Sequence, residues 1–241
     1  MRKIISATLL AIALIYGCIQ GALWQYDRYE TRHDRNQLII ANSSKSVIPE
    51  SQIATAINSN QSEKIAWRTL RLNGNFQPEK ELLIRNRYHE GKYGFGVVTL
   101  FKSNSGEMYW VDRGWVIAGE NAQTPPVTQP VNNQAVEITA RIRVESLENQ
   151  IKGSVFAVPG STNTQLQKWN SEQVVSTAPF YLDLISSSNP SFIPNIPAEL
   201  PEISDGPHLA YSFQWLLFSL LVIFAWYLVV KEERQVHPEK L

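Results

Sequence analysis

The sequence predicts a membrane protein in which two transmembrane α-helices flank a mainly antiparallel β domain, a small barrel or sandwich with short helices. Three observations carry that prediction. A charge-free run of 21 residues extends from Ile4 to Trp24, a second extends from Leu209 to Val230, and between them, from about residue 65, the apolar period shortens to two. At 1.5 Å per residue each run reaches about 30 Å, the depth of the hydrocarbon layer. No water solvates backbone amides there, so a segment entering lipid must be helical.

The first span is read as residues 4–24 and the second as residues 208–230, with Trp24, Tyr26, Tyr211 and Trp215 placed for the aromatic belts at the membrane surface. Arg2 and Lys3 compete with Arg28, Arg32 and Arg35 in orienting the first span, but the second is less ambiguous. No Lys or Arg occurs between Trp169 and Leu209, whereas Lys231 and Arg234 follow the run at once. The positive-inside tendency then makes the tail, residues 231–241, cytoplasmic. Two spans make the N-terminus cytoplasmic as well and the central domain periplasmic, in an inner membrane. A secretory signal is the rival reading of the N-terminus, but no A-x-A-like site follows the run. Cys18 is either a small residue buried in a helix or, in a weak lipoprotein-like box, a lipidation site.

Composition narrows the function. Lys plus Arg and Asp plus Glu number 22 each, so no net field attracts nucleic acid. Cys18 is the one cysteine, which excludes an intramolecular disulfide and every C-x-x-C metal or redox motif.

Residues 27–64 read as a charged juxtamembrane extension compatible with helix, then a polar stretch with a short helix at about 52–57. The β-rich domain is assigned to residues 65–185. Ile138, Ala140, Ile142 and Val144 alternate with Thr139, Arg141 and Arg143, as in a strand with one wet face. Similar strands are expected at 66–72, 81–87, 94–101, 108–117 and 179–185, with a short helix at 171–176. Residues 186–207 carry five prolines and read as a linker to the second span.

Four histidines are available for chemistry: His33, His89, His208 and His237. The first two and the last stand in charged or polar settings without a motif. His208 stands between Pro207 and the second apolar run, at the membrane surface, where an imidazole can ligate haem iron. Tyr211 and Trp215, three and seven residues on, share its helical face. Trp24 and Gln25 reach the same depth if the spans pack antiparallel. The bland alternative is an interfacial histidine amid belt aromatics. In Asp112-Arg113-Gly114-Trp115-Val116, strict alternation places Arg113 on an apolar face, where a charge demands a partner. That partner is either a ligand carboxylate such as a haem propionate or an internal Asp or Glu at a glycine bulge. No H-E-x-x-H or G-x-S-x-G motif is present, and the chain is not expected to be an enzyme.

The motifs taken in order resemble the surfeit locus protein 1 family. Gly21-Ala22-Leu23-Trp24-Gln25 with Arg28 resembles its G-x-W-Q-x-x-R, Asp112 to Val116 resembles its R-G-W-V, and His208-Leu209-Ala210-Tyr211 with Trp215 resembles its N-x-H-L-x-Y-x-x-x-W. Gly91, Gly94 and Val97-Val98-Thr99 resemble its glycine-containing strand, and Pro179 to Asp183 with Trp169 fits the later domain. Arg32 stands where Lys is usual, Leu100 where Pro is usual, and Gly206 where Asn is usual. The resemblance implies an assembly factor for cytochrome c oxidase that helps deliver haem A to the catalytic subunit, subunit I, with His208 as haem ligand. A haem A synthase is a further implied partner, and membrane lipid surrounds the spans. The alternative is a membrane scaffold that binds oxidase subunits without haem; an anchored hydrolase would need a pocket with His89 beside a Ser or Asp.

Overall fold

The computed structural model describes residues 2–58, 62–119, 124, 126–144, 165–194 and 196–236. In chain order the elements are α1 (Arg2–Ser43), β1 (Ile48–Pro49), α2 (Glu50–Asn58), β2 (Thr69–His89), β3 (Lys92–Ser103), β4 (Met108–Ile117), β5 (Val136–Arg143), α3 (Gln165–Gln173), β6 (Tyr181–Ser187) and α4 (His208–Val236). Two compact units result. Residues 38–202 form one, and residues up to 37 with those from 203 onward form the other.

The helical unit is an antiparallel pair. Both α1 and α4 are long and apolar enough to cross a membrane, and Leu9, Leu10, Phe213 and Phe224 stand exposed on them as lipid-facing residues do. The chain is a membrane protein. Hydrocarbon gives apolar helices no reason to prefer each other, so such pairs rely on small residues and interhelical hydrogen bonds. Here Trp226 Nε1 donates to Thr8 Oγ1 at 3.0 Å, and Ser212 Oγ donates to the carbonyl of Ala22 at 3.0 Å. The ring of Trp215 lies directly on Gly21, where a β-carbon would stand only 2.8 Å from it. No Gly or Pro occurs from Ala22 to Ser43, so α1 continues unbroken beyond the apolar run to Ser43.

The second unit is a small barrel. Its strands follow the order β1-β2-β3-β4-β6-β5, and β5 returns to β2 to close it. Pairings are antiparallel except β1 with β2 and β4 with β6. The segments expected separately at 66–72 and 81–87 are parts of one strand, β2. Its register shifts between Gln77 and Glu81, where Pro78 has no N–H to give a ladder. Inside, Leu70, Phe76, Phe101, Val111, Ile138, Leu182 and Leu184 form the main core. A smaller cluster outside the sheet packs Trp110 against Leu166 and Trp169 of α3, with the Trp110 indole donating to Asn170 Oδ1 at 2.8 Å. That helix lies at Gln165–Gln173, upstream of the expected 171–176, because Leu166 and Trp169 are the apolar anchors.

Alternation fails along β4. Val97 pairs with Gly114 and Val98 with Asp112, so Arg113 is the extra residue of a bulge, made possible by Gly114 at φ +133°. Trp115 N then donates to the Ile196 carbonyl at 2.8 Å, tying residues 196–197, inside the expected linker, against the barrel.

A buried ionic cluster sits where β4 meets β6. Asp112 and Asp183 are register partners; Asp183 receives Arg143 and, at 3.4 Å, Arg141, while Arg87 stands 3.6 Å from Asp112. Arg143 also lies over the Trp67 ring at 4.1 Å. Burial pushes the Asp112 carboxyl up to about 6, against the pull of Arg87. The folded protein therefore holds this proton more tightly than the unfolded chain, so the group's contribution is fully present below the unfolded value and is lost as pH rises to about 6. Thermal midpoints of the detergent-solubilised protein are expected to fall across that window by more in the wild type than in Asp112→Asn. Parallel profiles would remove Asp112 as the cause.

Candidate functional site

The site lies in the helical unit, where α4 begins. His208 opens α4 after Pro207, and its Nδ1 stands 2.8 Å from Gln25 Oε1 of α1. An amide oxygen accepts, so Nδ1 carries the ring proton and Nε2 keeps its lone pair. Gln25 thus orients the ring and selects the tautomer, the role outer groups take behind metal-ligating histidines. The pairing of Ser212 with Ala22 and of Trp215 with Gly21 places Trp24 and Gln25 level with the first turn of α4. Trp24, Tyr211 and Trp215 are each substantially exposed around this level. The structure therefore brings Gln25 onto His208, while Trp215 lies on Gly21 one turn away, Trp24 lies beneath Arg28, and Tyr211 is exposed on α4.

Residues 203–207 are held by a second polar contact. His33 Nδ1 lies 2.9 Å from Asp205 Oδ2, Asn36 Nδ2 donates to Asp205 Oδ1 at 2.7 Å, and Tyr29 stacks on the His33 ring. These bonds hold the Asp205 carboxyl below the usual range. His33, featureless in the sequence, is a clasp on the approach to His208.

Gly206 lies between the clasp and His208. A β-carbon placed on it would stand 3.2 Å from Arg32 Nη1, 3.4 Å from His208 Cδ2 and 3.7 Å from His208 Nε2. Glycine, where the resemblance has Asn, takes φ +69° and lets Arg32 and the His208 ring approach the backbone here. Sequence reading missed Arg28 and Arg32 here, because basic residues beside a span read first as orientation signals. Their spacing was the available signal: Gly21, Gln25, Arg28 and Arg32 repeat at four, three and four residues, one helical face.

Arg113 belongs to the barrel unit. Its guanidinium is fully buried, donates to the Gln129 carbonyl at 2.7 Å and stands 3.5 Å from Glu81 Oε2, over the ring of Phe76. This is the internal pairing at a glycine bulge, although Nε and Nη1 are without partners. Burial moves its basicity down while Glu81 opposes the shift. Nearby, His89 lies against Trp115 and lines a cavity of about 530 Å³ with Arg87, Asp112 and Glu199. The lining thus contains the Asp that an anchored hydrolase would need, although Asp112 is paired with Arg87, and it includes no Ser, Thr or Cys among the described residues.

Among the described residues no three His, Cys, Asp or Glu side chains gather to cage a metal ion. One oriented imidazole instead suits a metal that would arrive with its other ligands already in place, as in a metalloporphyrin.

Comparison with known proteins agrees with this arrangement of motifs. Uncharacterised SURF1-like proteins of Mycobacterium bovis and Mycobacterium tuberculosis are each 29% identical over 224 residues, covering 90% of this chain and 79% of theirs. A SURF1-like protein of Rickettsia bellii is 25% identical over 177 residues, covering 68% of this chain and 70% of its own. The family profile matches residues 12–220, from within the first span to within the second. The chain therefore belongs to the SURF1 family, whose members are generally known as cytochrome c oxidase assembly factors.

Proposed function

We propose that this protein receives haem A at His208 and passes it to subunit I of cytochrome c oxidase, acting as a carrier rather than a catalyst. The observation that carries this reading is the imidazole of His208, pinned through Nδ1 by Gln25, which leaves the Nε2 lone pair available to a metal. Haem as cargo supplies an iron that accepts one axial nitrogen and an apolar macrocycle that aromatic side chains can flank. Trp24, Tyr211 and Trp215 are the residues to flank it. A carrier has to release what it holds, and a single imidazole on a half-open surface is suited to weak, reversible ligation. Subunit I and a haem A synthase are the partners this role requires. The orientation follows from the basic tail after α4: both termini cytoplasmic, the barrel periplasmic, the two helices in the inner membrane.

The test is an absorption spectrum of the detergent-purified protein, wild type beside His208→Ala, from cells that make haem A and cells that cannot. The wild type from producing cells is expected to show a Soret band that falls at least tenfold in the variant. Equal bands would remove His208 as ligand. No band in any sample, with oxidase subunits still copurifying, would make the protein a subunit-binding scaffold.

A further inference from the structure

Charge is sorted around the emerging part of α1. At 3.6 residues per turn Gln25, Arg28, Arg32 and Asn36 share one face, while Asp27, Glu30 and Asp34 occupy the opposite one. The basic face is the one that meets the start of α4. Arg32 Nη1 and the His208 ring both border the space above Gly206, and Arg28 lies one turn before Arg32 on the face that carries Gln25. Neither is in ion-pair contact with a carboxylate of the described residues; Arg28 instead lies over Trp24 at 5.8 Å. The acid nearest in sequence to the ligand, Asp205, is occupied by His33 and Asn36 and is not offered to either arginine. Two guanidinium groups on the face that meets this oriented imidazole thus have no carboxylate partner among the described residues.

We infer that Arg28 and Arg32 form a carboxylate-binding subsite beside His208, which holds the paired propionates of the porphyrin that His208 ligates. This rests on the haem reading above and adds its orientation: the acid edge of the macrocycle points toward α1. Guanidinium groups are suited to the task, since they stay charged and can bind carboxylate oxygens through paired N–H donors. A lipid phosphate offers the same oxygen chemistry, and esterifying the porphyrin separates the two, because it removes charge from the porphyrin alone.

The experiment titrates full-length protein in non-ionic detergent with hemin and with hemin dimethyl ester, following the Soret band, for wild type, R28Q/R32Q and His208→Ala. Circular dichroism melts confirm that each variant remains folded. Wild type is expected to bind hemin at least tenfold more tightly than the ester, and R28Q/R32Q to bind both as weakly as wild type binds the ester. Equal hemin affinity in R28Q/R32Q and wild type, with an unchanged ratio to the ester, would overturn the subsite while leaving the haem reading in place. Loss of all porphyrin binding by the wild type, or undiminished binding by His208→Ala, would instead overturn the haem reading, and the subsite with it.

Discussion

Asp183→Ala is expected to destabilise the barrel by about 3–5 kcal/mol, the usual consequence of removing one partner from a buried ion pair. The carboxylate receives Arg143 and Arg141, whose side chains are 7% and 11% exposed. Without it, two cations lie side by side in a low-dielectric interior, and the remaining carboxylate nearby, Asp112, already has Arg87 beside it. Burial shifts the Arg141 guanidinium down in basicity, with Asp183 opposing that shift. A domain stable by about 5–15 kcal/mol has little margin for such a loss. Urea unfolding followed by tryptophan fluorescence measures it, and a loss below about 1 kcal/mol would show that water or rearranged side chains replace the carboxylate. Replacing both sides of the pair with apolar residues, as in Asp183→Leu with Arg143→Met, is expected to recover part of the loss.

The second large effect is expected in the helical unit. In Gly21→Leu the new β-carbon alone would stand 2.8 and 2.9 Å from two ring carbons of Trp215, so the indole has to swing out or the helices have to part. Overpacking of this kind costs about 1–3 kcal/mol, or one to two factors of ten in an equilibrium. The Ser212 to Ala22 bond is the next contact along the pair, and the Gln25 to His208 bond lies one turn away. On the proposed haem reading, haem retained by the purified variant is therefore expected to fall at least tenfold, toward the level of His208→Ala, while the urea transition of the barrel stays where it was. Full haem retention would mean that the imidazole is positioned by Gln25 alone.

The parts of this architecture legible in the sequence are those that depend on local period. Both apolar runs and the alternation of β5 are visible because solvent contrast, lipid on one hand and water on the other, writes directly into residue type. What resisted reading depends on partners distant in the chain. Pro78 divides β2 for a reader of periodicity, yet the strand continues through a bulge because β3 resumes the ladder beyond it. The parallel pairing of β4 with β6 has no local sign. In β4, period two places Arg113 on an apolar face, and the bulge at Gly114 with its positive φ is what alters the facing. At the site, His208 with Tyr211 and Trp215 follows from helical spacing within one element. The bond from Gln25 needed the helix pairing to be assumed, and the clasp of His33 on Asp205 joins positions 172 residues apart.

The helix pair also imposes an order in time. Chains emerge N-terminus first, so α1, with Gln25 and both arginines, is made and can enter the membrane while α4 has yet to be synthesised. The whole barrel is translated in the interval. Until His208 and the helix behind it have left the ribosome, the face of α1 that carries Gln25, Arg28 and Arg32 lacks the imidazole of His208. On the proposed reading, a nascent chain consequently lacks the imidazole of the haem site until synthesis has passed the whole barrel.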